Sequence, residues 1–375
     1  MSNILDYMDW RGDLTFEQSP FCQLDSLIFA QLVYVDLGEI VSSGGPGEGI
    51  PLEEASRRFF ETHDEEEILK KVSAVKNYMY VLKKAATCRR YRDTLLYGYR
   101  REIDAAAYSQ FTVMKYVVGD GSHYVAFCGT DDTLVAWRED FNLSFLDATP
   151  GQKKAVEYLG ELNLDQVKVL RLGGHSKGGN LAIYGAMHGG STLQEKLVCV
   201  DNFDGPGFRQ QVVESPEFDA ILPVIHTVIP KSSIVGRLFE MKGKIQVVES
   251  SAFSVAQHDP MSWQVLGTGF VDAGQVDSSS VVVDETMNKW LDQMDMPTRR
   301  HVINAGFDLL DAAHIETIDD FFNLSFAQIR DVFRAQKEMT EDERRLLGHA
   351  LVRLWKSGQK SLVDNVIRGN GNRKR

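Results

Sequence analysis

The chain has 375 residues, 43% hydrophobic and 25% charged, with 41 basic against 53 acidic side chains and a formal net charge of -12. That length suits one large core with a smaller appendage, and the composition is that of an ordinary globular protein, not of a disordered or collagenous one. A field of that sign repels nucleic-acid phosphates and anionic lipid surfaces, so no nucleic-acid partner is expected.

The opening residues reach Asp6, Asp9 and Trp10 before any apolar run develops, so no signal peptide is expected. No stretch approaches the length needed to cross a bilayer, which leaves the cytoplasm as the expected location and no integral membrane segment. Ser26 to Leu37 has helical apolar spacing, and Ser42 to Gly49 follows as a flexible loop. Thr62-His63-Asp64-Glu65 has a capping-box pattern. Ile68, Leu69, Val72, Val75, Met79 and Leu82 then repeat at helical spacing, which predicts one long amphipathic helix. Residues 51–101 as a whole are read as helical, a candidate cap. The period changes at Gln110, where Phe111 to Val118 and His123 to Phe127 predict two antiparallel strands joined by the turn Gly119-Asp120-Gly121-Ser122.

Beyond Pro150 the pattern alternates. A helix (Gln152 to Leu162), a strand (Val167 to Leu172), a helix (Asn180 to His188) and a strand (Leu197 to Phe203) precede strands near Val224 to Val228 and Lys244 to Val248. Such alternation predicts an α/β protein with a largely parallel sheet covered on both faces. After Val283 the strand signal stops, and Glu285 to Met294, Thr298 to Ala313, Ser325 to Gln336 and Glu341 to Lys356 read as helices. The expected organisation is therefore residues 1–284 as the α/β unit, 285–367 as an all-helical C-terminal extension, and 368–375 as a disordered basic tail. Cys22, Cys88, Cys128 and Cys199 lie far apart, which argues against a zinc site, a redox pair or a disulfide framework.

Gly174-His175-Ser176-Lys177-Gly178 matches G-x-S-x-G. The motif directly follows the apolar run VKVLRL and directly precedes NLAIYGAMH, the strand–turn–helix setting in which a sharp bend lifts a serine hydroxyl out of a sheet. A serine hydroxyl needs an adjacent base, and in α/β hydrolases that histidine comes last in chain order. His258, in the polar loop Ala256-Gln257-His258-Asp259-Pro260 after KIQVV, is the candidate; His301, His314 and His349 lie on predicted helices of the extension. His226 sits inside an apolar strand and reads as a core residue, while His175 should point away from the serine. The carboxylate that orients the imidazole belongs at a strand end between serine and histidine, which selects Asp204 after LVCVDNF. Asp201 lies inside that strand, and Asp259 is too near His258 in sequence to reach its far ring nitrogen. Donors for a developing oxyanion are expected from the backbone N–H of Lys177 and from Thr130 in the strand-end turn Cys128-Gly129-Thr130.

With those residues placed, the chain resembles the lipase-like branch of the α/β hydrolases. It is similar to the class 3 lipases and closer to an uncharacterised bacterial lipase-like family known mainly as a domain of unknown function. The resemblance rests on AFCGTDD (Ala126 to Asp132), GGHSKGGNLAIYGA (Gly173 to Ala186), FDGPGF (Phe203 to Phe208), VIPKSSIVG (Val228 to Gly236) and QHDPMSW (Gln257 to Trp263), and the opening ILDYMDWRGDLTF matches the bacterial family. It implies an α/β-hydrolase fold up to about Val283, Ser176 as nucleophile, His258 as base, Thr130 and Lys177 at the oxyanion, and a small ester or lipid-like substrate with no metal or organic cofactor. One departure stands out: where class 3 lipases carry their acid, this chain has Ser232-Ser233-Ile234-Val235. Either Asp204 replaces it one strand earlier, or the chain is a weak or inactive hydrolase-fold binding protein. Lys177 also replaces an apolar residue common in lipases; its cation could bind an acidic substrate group or pair with a local Asp, and the pairing is the expected role.

Overall fold

The computed structural model describes residues 2–70, 75–104, 109–130, 138–139, 141–277, 294–313 and 315, with isolated positions from 328 to 348. Among them, eight strands form one sheet in sequential order: β1 (Ile50–Pro51), β2 (Leu95–Asp104), β3 (Ser109–Val117), β4 (His123–Phe127), β5 (Leu170–His175), β6 (Leu197–Phe203), β7 (Ile225–Pro230) and β8 (Ile245–Val248). The pairs from β1 to β4 are antiparallel, whereas β4 through β8 run parallel. All five strands of the parallel half therefore end on the same edge, where loops from different strands can meet.

Both faces of the sheet are covered, and alternation along each strand decides which residue serves which face. Tyr124 and Ala126 of β4 pack with α1 (Ile4–Arg11), α2 (Gln23–Leu32), α3 (Leu52–Thr62) and α5 (Val75–Thr87). Between α3 and α5 lies α4 (Glu65–Lys70). Val125 and Phe127 point the other way, into a second core with α6 (Pro150–Gly160) and α7 (Lys177–His188). A third, smaller cluster joins α8 (Met296–Ala312) to Phe145, with Phe141, Leu146 and Phe239 packed against it.

Several expectations need correction. Residues 51–101 are not helical throughout: β2 begins at Leu95 and pairs with β3 on both sides of an irregularity between Tyr97 and Arg100. Its charged end, Arg100 and Glu102, is held by Glu161 and Lys154 from the α6 side, so its polarity masks a strand. The helices of that stretch pack on α2 and the sheet as part of the covering layer. Thr62 closes α3 instead of opening the next helix; Asp64 caps α4 by accepting the Glu66 N–H at 2.8 Å. Of the expected long helix, α4 and α5 are described, and 71–74 lie outside the described residues. α2 starts at Gln23 and stops at Leu32, since the Asp25 carboxylate accepts the Cys22 N–H at 2.8 Å and fixes the earlier start. Of the helical extension, α8 is described; the expected helices at 285–294, 325–336 and 341–356 fall largely or wholly outside the described residues, as does the tail.

Candidate active site

β5 ends at His175 and α7 begins at Lys177, so Ser176 alone makes the bend, at φ 57° and ψ -136°. A residue with a Cβ held there costs about 1–3 kcal/mol. Packing imposes it: the Ser176 N–H donates to the Phe203 carbonyl at 2.9 Å, and the Ser176 carbonyl accepts from Gly179 at 2.9 Å. The flanking glycines are required by close approach. A Cβ on Gly174 would lie 2.3 Å from the carbonyl carbon of Gly178, and one on Gly178 would lie 2.1 Å from the Phe127 carbonyl oxygen.

Sheet register places the next group. His175 pairs with Phe203 and Phe203 with Val228, so the residues just beyond β5 and β6, Ser176 and Asp204, emerge side by side. Asp204 is fully buried, sits at φ 51°, and donates its N–H to the Val228 carbonyl at 2.8 Å. Its Oδ1 accepts from the Ser233 hydroxyl and from the Gly236 N–H at 3.2 Å, which leaves Oδ2 for a partner. That partner is His258: its Nδ1 lies 2.7 Å from Asp204 Oδ2, and its Nε2 lies 3.0 Å from Ser176 Oγ. A carboxylate on Nδ1 selects the tautomer protonated there, so Nε2 is left to accept the serine proton.

The loop carrying His258 is nailed down on both sides. The Gln257 side chain accepts from the Ser232 N–H at 2.9 Å and donates to the Ala252 carbonyl at 3.0 Å, while the Trp263 indole donates to the Gln257 carbonyl at 2.7 Å. Asp259 turns away: it accepts from Asn77 at 2.8 Å and from the Met261 N–H at 3.0 Å, and burial pushes its pKa up. Asp201 pairs with His226 at 3.2 Å, and that bond raises the imidazole pKa. His226 is accordingly an exposed partner of a buried carboxylate, not the core residue its apolar strand suggested.

Lys177 opens α7, which sets its backbone N–H at the helix start beside Ser176. Its side chain is buried beneath the bend, with Nζ 2.7 Å from Glu139 and 3.1 Å from the Gln110 carbonyl. The cation thus has a structural partner as expected, but a glutamate in place of an aspartate. Thr130 follows Gly129, whose backbone packs on Ser176 so closely that a Cβ there would lie 3.0 Å from Ser176 Cβ. Sequence reasoning missed Ser233, Gln257 and Asn77 as supports of this arrangement. The signal for Ser233 was present, since it stands where class 3 lipases carry the acid. Cys88, Cys128 and Cys199 are buried and Cys22 is half-buried, none of the four in a disulfide, and no cluster suited to a metal occurs among the described residues. No helix among them is long and apolar enough to cross a membrane.

A sequential, mostly parallel sheet with helices on both faces and a serine on a strained strand–helix bend defines an α/β-hydrolase-fold protein. The chain belongs to the Mbeg1-like family, a lipase-like family whose model matches residues 85–308. Among solved structures, the crystal structure of M37 lipase is similar at 13% identity, over 57% of this chain and 68% of that one, with a TM-score of 0.33. So distant a likeness says nothing about the reaction. No curated protein matches.

Proposed function

We propose that the protein is a serine hydrolase that cleaves a small or lipid-like carboxylic ester through an acyl-enzyme on Ser176. The observation that carries this reading is the unbroken line Ser176 Oγ, His258 Nε2, His258 Nδ1, Asp204 Oδ2, with gaps of 3.0 and 2.7 Å. In the first half-reaction Oγ attacks the ester carbonyl carbon as its proton passes to His258 Nε2. The charge that develops on the carbonyl oxygen meets the N–H of Lys177 and the Thr130 donors. Collapse breaks the bond to the alkoxide, which leaves with the proton from His258. Water, deprotonated by the same imidazole, then releases the acid and restores Ser176. Asp204 keeps the ring oriented and stabilises its cation throughout, a role that replaces the acid class 3 lipases carry one strand later.

A fluorophosphonate probe tests this directly. Wild type should gain one covalent adduct, mapped to Ser176 by peptide mass, with no labelling in Ser176→Ala and slowed labelling in His258→Ala. Folded wild type that stays unlabelled, and hydrolyses none of a panel of acyl esters, would overturn the reading in favour of a binding protein on the same fold.

A further inference from the structure

The histidine that precedes the nucleophile does not simply point away from it. The His175 Nε2–H donates to the main-chain carbonyl of His258 at 2.8 Å, and the two rings lie 4.6 Å apart. A carbonyl accepts only, so the donor must be Nε2–H, and the neutral ring then presents Nδ1 as an acceptor. Tyr34, just beyond α2, lies with its hydroxyl 3.1 Å from that Nδ1 and 3.2 Å from the His175 carbonyl. The same hydroxyl oxygen accepts the Gly129 N–H at 3.1 Å. Tyr34 is itself stacked on Tyr78 of α5 with ring centroids 4.4 Å apart.

Followed from end to end, these bonds run from the N–H of Gly129, next to Thr130, through Tyr34 and His175 to the backbone of His258. We infer that Tyr34 and His175 are positioning residues that hold the Thr130 turn and the His258 loop in register with Ser176. The inference rests on the reading of Ser176 as a nucleophile. Each of the three groups sits on a different connection of the sheet, and among the described residues no ladder hydrogen bond joins those connections once the strands have ended. Side-chain bonds then help to fix their separation, and a displacement of 1 Å between reacting groups can slow a reaction about 100-fold. His175 is suited to the task because it is 4% exposed and its pKa is driven well down by burial and by the neighbouring His258. It keeps one tautomer, and hence one donor direction, throughout the working pH range.

The test compares His175→Leu, which removes both bonds, with His175→Gln, whose amide nitrogen offers a donor at similar reach, and with Tyr34→Phe. With an ester substrate, the leucine variant should lose about 100-fold in kcat and in labelling rate with KM nearly unchanged, the glutamine variant should regain about 10-fold of that, and Tyr34→Phe should fall between them. Folded variants that all turn over like wild type, or a glutamine variant no better than leucine, would overturn the inference. If the leucine variant does not fold, Tyr34→Phe and His175→Gln decide alone: wild-type turnover in both overturns it. Should wild type itself fail to label, the reading of Ser176 fails first. The tautomer of His175, read from imidazole 15N shifts, then decides this one, and a ring protonated at Nδ1 rather than Nε2 overturns it.

Discussion

Ser176 at φ 57° and Asp204 at φ 51° hold backbone conformations that most side chains avoid, and both lie one residue beyond a strand end in the parallel half of the sheet. Strain of this kind persists only where surrounding bonds over-determine it, and both residues are tied to a neighbouring strand by their own N–H groups. Asparagine tolerates the left-handed region better than most residues, so Asp204→Asn tests charge without disturbing the backbone. An amide oxygen still accepts from Ser233 and Gly236, while the amide nitrogen presented to His258 favours the wrong tautomer. Turnover should fall about 1,000- to 10,000-fold with an unchanged circular dichroism spectrum. Loss of less than tenfold would show that the carboxylate does not orient the ring. At this scale the candidate serine and carboxylate were legible because each stands just beyond a strand end, and the candidate histidine because it lies in a polar loop. The supporting role of Ser233 was missed although its place in the lipase pattern marked the position, because a serine gains its meaning only from the carboxylate it faces.

Helix α7 begins three residues earlier than its apolar spacing indicates, because the bend at Ser176 starts the helix at once. Its first residue carries a lysine where the helix dipole disfavours a cation. Glu139 offsets that cost: its carboxylate is fully buried and also accepts the Gly151 N–H at 2.8 Å, so it ties the base of α7 to the start of α6. Removing one member of such a pair leaves the other charge buried and unpaired. Lys177→Met should therefore destabilise by about 3–5 kcal/mol, and combination with Glu139→Gln should recover most of that loss, both read from urea unfolding. Additive losses in the double variant would mean that the two side chains do not act as a pair. The element that sequence periodicity captured least well is β2, whose charged end is held by Lys154 and Glu161, partners distant in sequence. Gly98 at φ 59° interrupts the alternation of β2 between Tyr97 and Arg100, which further hides the strand.

Across the whole molecule, the buried neutral imidazole of His175 couples folding to pH. In the unfolded chain it titrates near 6.5, whereas in the folded protein burial holds its pKa well below that value. The unfolded state thus binds more protons below about pH 6.5, so stability rises with pH up to that point and then levels off, with a slope of about 1.4 kcal/mol per pH unit from this one group. His226 works in the opposite sense. Its pKa is raised by Asp201, so its contribution is present below about 6.5 and is lost as pH rises through the folded value; being half exposed, it is the weaker of the two. Urea unfolding of wild type and His175→Gln at pH 7.5, 6.5 and 5.5 isolates the first term. Wild type should lose about 1 kcal/mol more than the variant between pH 6.5 and 5.5, and parallel curves would show that the folded ring takes up a proton as readily as the unfolded one.

The sequence by itself determined what depends on neighbours along the chain: the alternation that makes a parallel sheet with two covered faces, and the small residues that permit a sharp bend at Ser176. Tertiary structure decided which carboxylate faces His258, which partner neutralises Lys177 and what holds the His258 loop in place. Those choices join positions such as 34, 129, 175, 204 and 258, whose proximity follows from strand register and loop packing. Neither is encoded in any local period of the chain.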